Sequence, residues 1–319
     1  MKGKLAQAAS LRFLGEQKGT FTALILLIIT LSFLSPQFLS SDNFLNILLQ
    51  ISNIAIIATG MTFVILTGGI DLSVGSIVAL TGLIMAALMK YFNLPTLLAI
   101  SLGVLSASFM GWINGVLIAR IKVPPFIATL GMMSIARGGA YTISGGKPIY
   151  SLPADFNAIA GRWGFFPVPA ILMLIVFAIG WYILTQTKLG RYVYAIGGNE
   201  NASTLSGINV KRYIQIVYVI SGLTCALASI ILTARLDSAV PVAGEGSELD
   251  AIAAVVIGGT SMTGGQGSII GTFIGALIMG VVSNGLNLLI VPQGMQRVVK
   301  GVIIVAAVVI DILRKKKKV

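Results

Sequence analysis

Histidine is absent from the 319 residues, and cysteine occurs once, as Cys225. Without histidine there is no imidazole proton relay, no Ser-His-Asp triad and no imidazole metal ligand. A lone cysteine cannot close an intrachain disulfide. Cys225 lies in an apolar run, where an inert buried thiol is expected rather than a nucleophile. Charge is scarce too: Asp, Glu, Lys and Arg make up 10% of the chain, against about 25% in an average soluble domain. Acids are the rarer sign, 10 against 22 Lys and Arg. Few of them fall deep in apolar runs, where ion-coupled carriers place such groups. Gly145-Gly146-Lys147-Pro148 lacks the upstream glycine and the hydroxyl residue of a P-loop, so this chain is not expected to hydrolyse ATP. No metal and no cofactor is expected on it.

What the chain has is apolar length. Hydrophobic residues make up 56%, and the mean hydropathy is +0.96. One or two soluble cores cannot bury that much apolar surface, so lipid is the solvent for most of the chain. Apolar blocks fall at 20–37, 44–67, 71–89, 95–119, 124–143, 168–186, 213–234, 250–261, 268–290 and 296–312. A crossing needs about 20 residues, so the block at 250–261 is too short to span alone. It reads as a half-helix continued by extended backbone, which a membrane tolerates only where protein or a cavity shields it. The first run, Phe21 to Leu34, ends in Ser35-Pro36-Gln37-Phe38 with no small-x-small cleavage site and reads as an uncleaved membrane helix. The expected fold is all-α and polytopic, with about ten transmembrane helices in a single domain over 1–319.

In a soluble protein a net charge of +12 would suggest nucleic acid. Here the basic residues flank apolar runs, so they report topology and contact with anionic lipid headgroups, and no nucleic-acid partner is expected. With the N-terminus inside, Lys2, Lys4, Arg12, Lys18, Arg120, Lys122, Lys188, Arg191, Lys211, Arg212, Arg314 and Lys315 to Lys318 are cytoplasmic, 15 of the 22. Lys90, Lys147, Arg162, Arg235, Arg297 and Lys300 fall on or near the outer side. That asymmetry places both termini inside and lays the basic tail, 313–319, on the inner leaflet.

Val64-Ile65-Leu66-Thr67-Gly68-Gly69 resembles Ala254-Val255-Val256-Ile257-Gly258-Gly259, and Gly75-Ser76-Ile77 matches Gly267-Ser268-Ile269 after a two-residue insertion. Glycine-interrupted apolar segments at matching positions of two halves point toward a transport pathway.

Polar stripes add chemistry. Asn46, Gln50 and Asn53 share one helix face at i, i+4, i+7, and Asn284 and Asn287 are i, i+3 beside Ser283. Neutral amides donate and accept, which suits a polyhydroxylated solute; they also serve hydrogen bonding between helices, and both readings stand. Gly267, Gly271 and Gly275 form G-x-x-x-G-x-x-x-G, a seam for close helix approach within the subunit or between two copies. Asp71 or Ser73 suits the start of the third span as a cap, with gating or an interface as the other role for Asp71. Arg137, inside the fifth span, either snorkels outward or pairs with an acid.

The segment 187–212 is the longest polar stretch on the cytoplasmic side. Asn199 suits the N-cap of a short helix beginning at Glu200, and Gly207 suits its C′ stop. The predicted helix has about seven residues and spans roughly 10 Å. Its shape fits a groove on another protein, and an ordinary structured loop is the other reading.

Several motifs together identify a family. Gly68-Gly69-Ile70-Asp71-Leu72-Ser73-Val74-Gly75, Phe126-Ile127-Ala128-Thr129-Leu130, Leu189-Gly190-Arg191-Tyr192, Gly197-Gly198-Asn199-Glu200, Leu205-Ser206-Gly207-Ile208-Asn209, the run from Glu248 to Val256, and Gly258-Gly259-Thr260-Ser261 resemble the permease subunits of bacterial monosaccharide ABC importers. The similarity runs from about Glu16 to Asp311. It implies a type II importer-like helical fold in the bacterial inner membrane and a second permease copy around one pathway. It also implies a cytoplasmic ATPase that carries ATP and Mg, and an extracytoplasmic sugar-binding protein. The implied cargo is a monosaccharide, ribose foremost, with allose, xylose, galactose or a furanose-like signal molecule as alternatives. A self-sufficient secondary carrier is the competing class. The resemblance further implies that Gly198, Asn199, Glu200, Asn201, Ala202, Ser203, Thr204, Leu205, Ser206, Gly207 and Ile208 form the loop that couples to the ATPase. Relatives often carry Ala-Ala where this chain has Ala202-Ser203, and serine is small enough to keep such a contact.

Overall fold

The computed structural model describes residues 19–316. Lys2, Lys4, Arg12, Lys18 and the last residues of the basic tail therefore lie outside the described residues. Among the described residues there are thirteen helices: α1 (Gly19–Leu34), α2 (Ser41–Leu66), α3 (Val74–Lys90), α4 (Thr96–Ala119), α5 (Pro125–Ser144), α6 (Ala154–Asn157), α7 (Val168–Gln186), α8 (Lys188–Gly198), α9 (Glu200–Leu205), α10 (Val210–Leu236), α11 (Ser247–Ile257), α12 (Ile269–Leu288) and α13 (Gln293–Lys316). Each of the ten apolar blocks is a helix. Five of them, α2, α4, α7, α10 and α12, are long and apolar enough to cross a membrane alone, and α1 and α3 are shorter apolar helices. Strand pairing is confined to two-residue ladders, β1 (Ile149–Tyr150) with β4 (Ser238–Ala239) and β2 (Arg162–Trp163) with β3 (Phe166–Pro167).

Burial sorts the long helices. The most apolar stretch of α2, α10 and α12 is 67% buried, whereas that of α4 and α7 is 28% buried. The first three form the core, and the other two turn leucine, isoleucine and aromatic side chains such as Leu105, Phe109 and Ile179 outward, as lipid-facing helices do. Small residues set the closest crossings. A Cβ on Gly115 of α4 would lie 2.7 Å from Gln215 Cα of α10, and one on Gly222 of α10 would meet the Ala107 carbonyl of α4. Apolar side chains have the same affinity for lipid as for each other, so this close fit does the work of association.

The connections alternate between two ends. The Gly265 N–H donates to Leu66 O at 2.9 Å, and Lys122 Nζ donates to Glu200 Oε1 at 2.8 Å, so segments 67–73, 120–124, 199–209 and 258–268 meet at one end. At the other, Lys90 Nζ donates to Ser151 O at 3.2 Å, β1 pairs with β4, and Arg297 lies 3.3 Å from Glu245.

α11 has 11 residues, about 16 Å at 1.5 Å per residue, or half the hydrocarbon thickness. Its start lies inside the bundle: a Cβ on Gly244, just before it, would sit 2.6 Å from Gly75 O in the first turn of α3. The N-terminal ends of α3 and α11 thus face one another in the interior, an arrangement of interrupted helices found in transporters.

Candidate functional site

Segment 187–209 contains two helices. α8 begins at an N-cap, Thr187, whose side chain accepts from the Gly190 N–H, and it buries Gly190, Val193 and Ile196 on one face. α9 follows after Asn199, which stands in extended backbone with its Oδ1 accepting from the Ala202 N–H at 2.9 Å. Glu200 occupies the first turn, where the helix dipole favours a carboxylate. The helix closes in a Schellman motif: Gly207 takes φ +81°, its N–H donates to Thr204 O, and the Ile208 N–H donates to Ser203 O. Ser203 is buried and Ile208 partly so, while Gly198, Asn199, Glu200, Asn201, Ala202, Thr204, Leu205, Ser206 and Gly207 are exposed. Leu205 is 90% exposed. The result is a capped projection with an apolar, exposed tip.

Its base is braced by backbone. A Cβ on Gly197 would collide with Leu66 O and the Gly265 nitrogen, and one on Gly264 would lie 3.0 Å from Gly197 Cα. The Gly264 and Gly265 φ angles are +84° and +73°, conformations that favour glycine. Tyr194 Oη donates to Gly267 O at 2.8 Å, and burial raises its phenol above the ordinary pKa. The root of α9 thus touches the end of α2 and the segment between α11 and α12.

The segment between α2 and α3 is held differently. Asp71 is fully buried. Its Oδ1 accepts from the Ser73 N–H at 3.0 Å and from the Ser73 hydroxyl, and its Oδ2 accepts from Ser221 Oγ of α10 at 2.8 Å. Asn114 Nδ2 of α4 donates to Ser73 Oγ at 3.0 Å, and Tyr218 Oη donates to Ile70 O at 3.2 Å. Ser73 is the N-cap of α3 but makes no capping bond, because its hydroxyl is taken by Asp71 and Asn114. Asp71 accordingly ties α3, α4 and α10 together rather than capping one helix.

The stripes separate. Asn284 is buried and exchanges two side-chain hydrogen bonds with Asn43 of α2, at 3.0 and 2.7 Å, a bond between helices. Asn287 is exposed and accepts from Gln296 Nε2 at 3.0 Å. Asn46 is exposed, Gln50 and Asn53 are half-buried, and Asn53 Oδ1 is buried without a partner. Gly271 and Gly275 pack against α11: a Cβ on Gly275 would meet Ala254 O, and one on Gly258 would meet the Gly271 carbonyl. Gly267, at φ +153°, faces Thr260. The seam therefore works within the chain. Arg137 donates from Nη1 to the carbonyls of Pro241 and Ala243, the latter at 3.0 Å. Among the described residues it makes no ion pair within 4.0 Å; two backbone carbonyls hold it inside the bundle, with the Glu248 carboxylate near enough to feel its charge.

Sequence reasoning did not name α8, Asn43, Ser221 or the Gly197–Gly265 approach. α8 had a signal, since Leu189, Val193 and Ile196 recur at i, i+4, i+7. Asn43 had one as well, lying three residues before Asn46 on the same stripe. Ser221 and Gly197 had none, because their partners are distant in sequence.

The chain matches the family described as branched-chain amino acid transport system / permease component over residues 43–308. It is 50% identical over 317 residues to the ribose import permease protein of Haemophilus influenzae, covering 98% of this chain and 97% of that protein. It is 48% identical over 307 residues to the ribose import permease protein of Escherichia coli K12, covering 94% of each. It is 44% identical over 303 residues to the D-allose transport system permease protein of the same organism, covering 94% of this chain and 93% of that one. No solved structure matches it. With a multi-pass helical fold and a family match over most of its length, this chain belongs to the branched-chain amino acid transport system / permease component family, as a transport component and not a catalytic subunit.

Proposed function

We propose that this chain is the membrane-spanning subunit of an ATP-driven importer that moves ribose across the bacterial cytoplasmic membrane. The observation that carries the reading is the capped, exposed α9 helix rooted by backbone contact at the end of α2 and in the segment between α11 and α12. Near-full-length identity to ribose import permeases supports the cargo. In this reading α9 docks on a cytoplasmic ATPase, which carries ATP and Mg. An extracytoplasmic binding protein delivers sugar to the opposite end, and two copies of the chain surround the pathway. Both termini are cytoplasmic, with the basic tail on anionic lipid.

The mechanism follows from rigidity. α9 is too short and too well capped to absorb a push by bending. Displacement of its root bears on Leu66 at the end of α2 and on Gly265 before α12. Each ATPase state that binds α9 in a different position therefore favours a different arrangement of the interrupted helices, by its differential contacts alone.

The test is replacement of residues 200–206 by a flexible Gly/Ser stretch of equal length. Membrane insertion is expected to persist, while co-purification with the cognate ATPase and ribose uptake are lost. Unchanged uptake would contradict the coupling role.

A further inference from the structure

In the half of the bundle away from α9, the start of α11, the end of α12 and the first half of α13 line an open cavity of about 580 Å³. Its wall is polar in a chain poor in charge. Lys300 Nζ donates to Asp250 Oδ2 at 2.8 Å, with the two side chains only 23% and 14% exposed. Gln296 Nε2 donates to Asn287 Oδ1 at 3.0 Å and to Val291 O at 2.8 Å. Those bonds leave the Asn287 amide N–H and the Gln296 side-chain carbonyl without a protein partner among the described residues, one donor and one acceptor side by side. Arg297 and Glu245 form an exposed pair 3.3 Å apart at the rim.

We infer that this cavity is the permease's receiving subsite for a neutral polyhydroxylated solute, a monosaccharide, on its way inward. The inference rests on the importer reading and adds the place. Hydroxyl groups both donate and accept, so they match the amide pair and the flanks of the Asp250–Lys300 pair. Three carboxylates (Glu245, Glu248 and Asp250) face two cations, so no excess positive charge selects an anion. The wall carries no aromatic ring for a sugar to stack on. The subsite is therefore weak, as a site on a pathway must be for its occupant to leave. The volume exceeds that of one pentose, which leaves room for bridging water.

Gly301 gives a clean way to test it. It lines the cavity, and a Cβ placed there meets nothing within 4 Å, so a larger side chain grows into open space without disturbing the helix. In the assembled transporter, in cells lacking their own ribose permease, Gly301→Leu is expected to lower uptake by about tenfold or more, and Gly301→Ala by no more than about twofold. Membrane level and ATPase co-purification should match the unsubstituted chain for both. A second readout is Gln293→Cys, at an exposed position on the cavity wall outside the amide pair, with a membrane-impermeant thiol reagent; buried Cys225 makes the unsubstituted chain the blank. The reagent should stop uptake, and added ribose with its binding protein should slow the modification. Normal uptake in Gly301→Leu, or modification indifferent to ribose, would overturn the subsite. So would a Gly301→Leu defect accompanied by lost binding-protein association, which would make the cavity a docking surface. Absence of ATP-dependent uptake by the unsubstituted chain would sink the importer reading instead. Ribose protection of the Gln293→Cys thiol would then still support the subsite, and its absence would still overturn it.

Discussion

The two interrupted segments, 67–73 and 258–268, begin alike and are then secured in opposite ways. Both preceding helices end in a Schellman motif. After α2, the Gly68 N–H donates to Ile65 O and the Gly69 N–H to Val64 O. After α11, the Gly259 N–H donates to Val256 O and the Thr260 N–H to Val255 O. In the aligned sequences α11 runs one residue further than α2, and the left-handed glycine moves with it, from Gly68 to Gly259. Beyond that point the first segment is anchored by side chains, through Asp71 and hydroxyls on α3 and α10. The second is anchored by backbone, with Gly264 and Gly265 pressed against Gly197 and Gly198. The side-chain anchor fixes one helix start inside the bundle. The backbone anchor adjoins α9, and the bond from Tyr194 Oη to Gly267 O is the side-chain contact that spans it.

That difference predicts different failures. The largest effect is expected at Gly197→Ala, where the new methyl meets two backbone atoms that cannot swing aside. A loss of about 3 kcal/mol is expected, seen as a lower melting temperature of the purified complex together with abolished uptake. Asp71→Ala comes next. Its two hydroxyl partners can rotate to other acceptors, so the stranded Ser73 N–H sets the loss at about 1–3 kcal/mol, seen as lower thermal stability with ATPase binding intact. Ser221→Ala removes one of the acid's partners and should cost about 1 kcal/mol. The smallest effect on stability is expected at Leu205→Ala, within about 0.5 kcal/mol for so exposed a position, yet ATPase co-purification should fall. A Leu205→Ala protein that melts early and still binds the ATPase would reverse the contrast.

Much of the architecture was legible because lipid demands it. Every apolar block became a helix, and the short block at 250–261 became the 11-residue α11 followed by a glycine-rich turn. The N-cap at Asn199 and the stop at Gly207 were readable because capping is local, although α9 has six residues rather than about seven. The partner of Asp71 was not readable, since Ser221 lies 150 residues away and any of several buried hydroxyls fits the pattern. Arg137 shows the same limit: sequence offers an acid or the membrane surface, and the fold supplies two carbonyls of a loop more than 100 residues distant.

The most direct measurement is uptake of labelled ribose in cells lacking their own ribose permease, with this chain, its cognate ATPase and the binding protein supplied together. A catalytically dead ATPase serves as the control. Uptake that requires both this chain and a live ATPase is the predicted result. Ribose uptake that persists with the dead ATPase would contradict it, since a self-sufficient carrier would then be at work and α9 would have nothing to transmit.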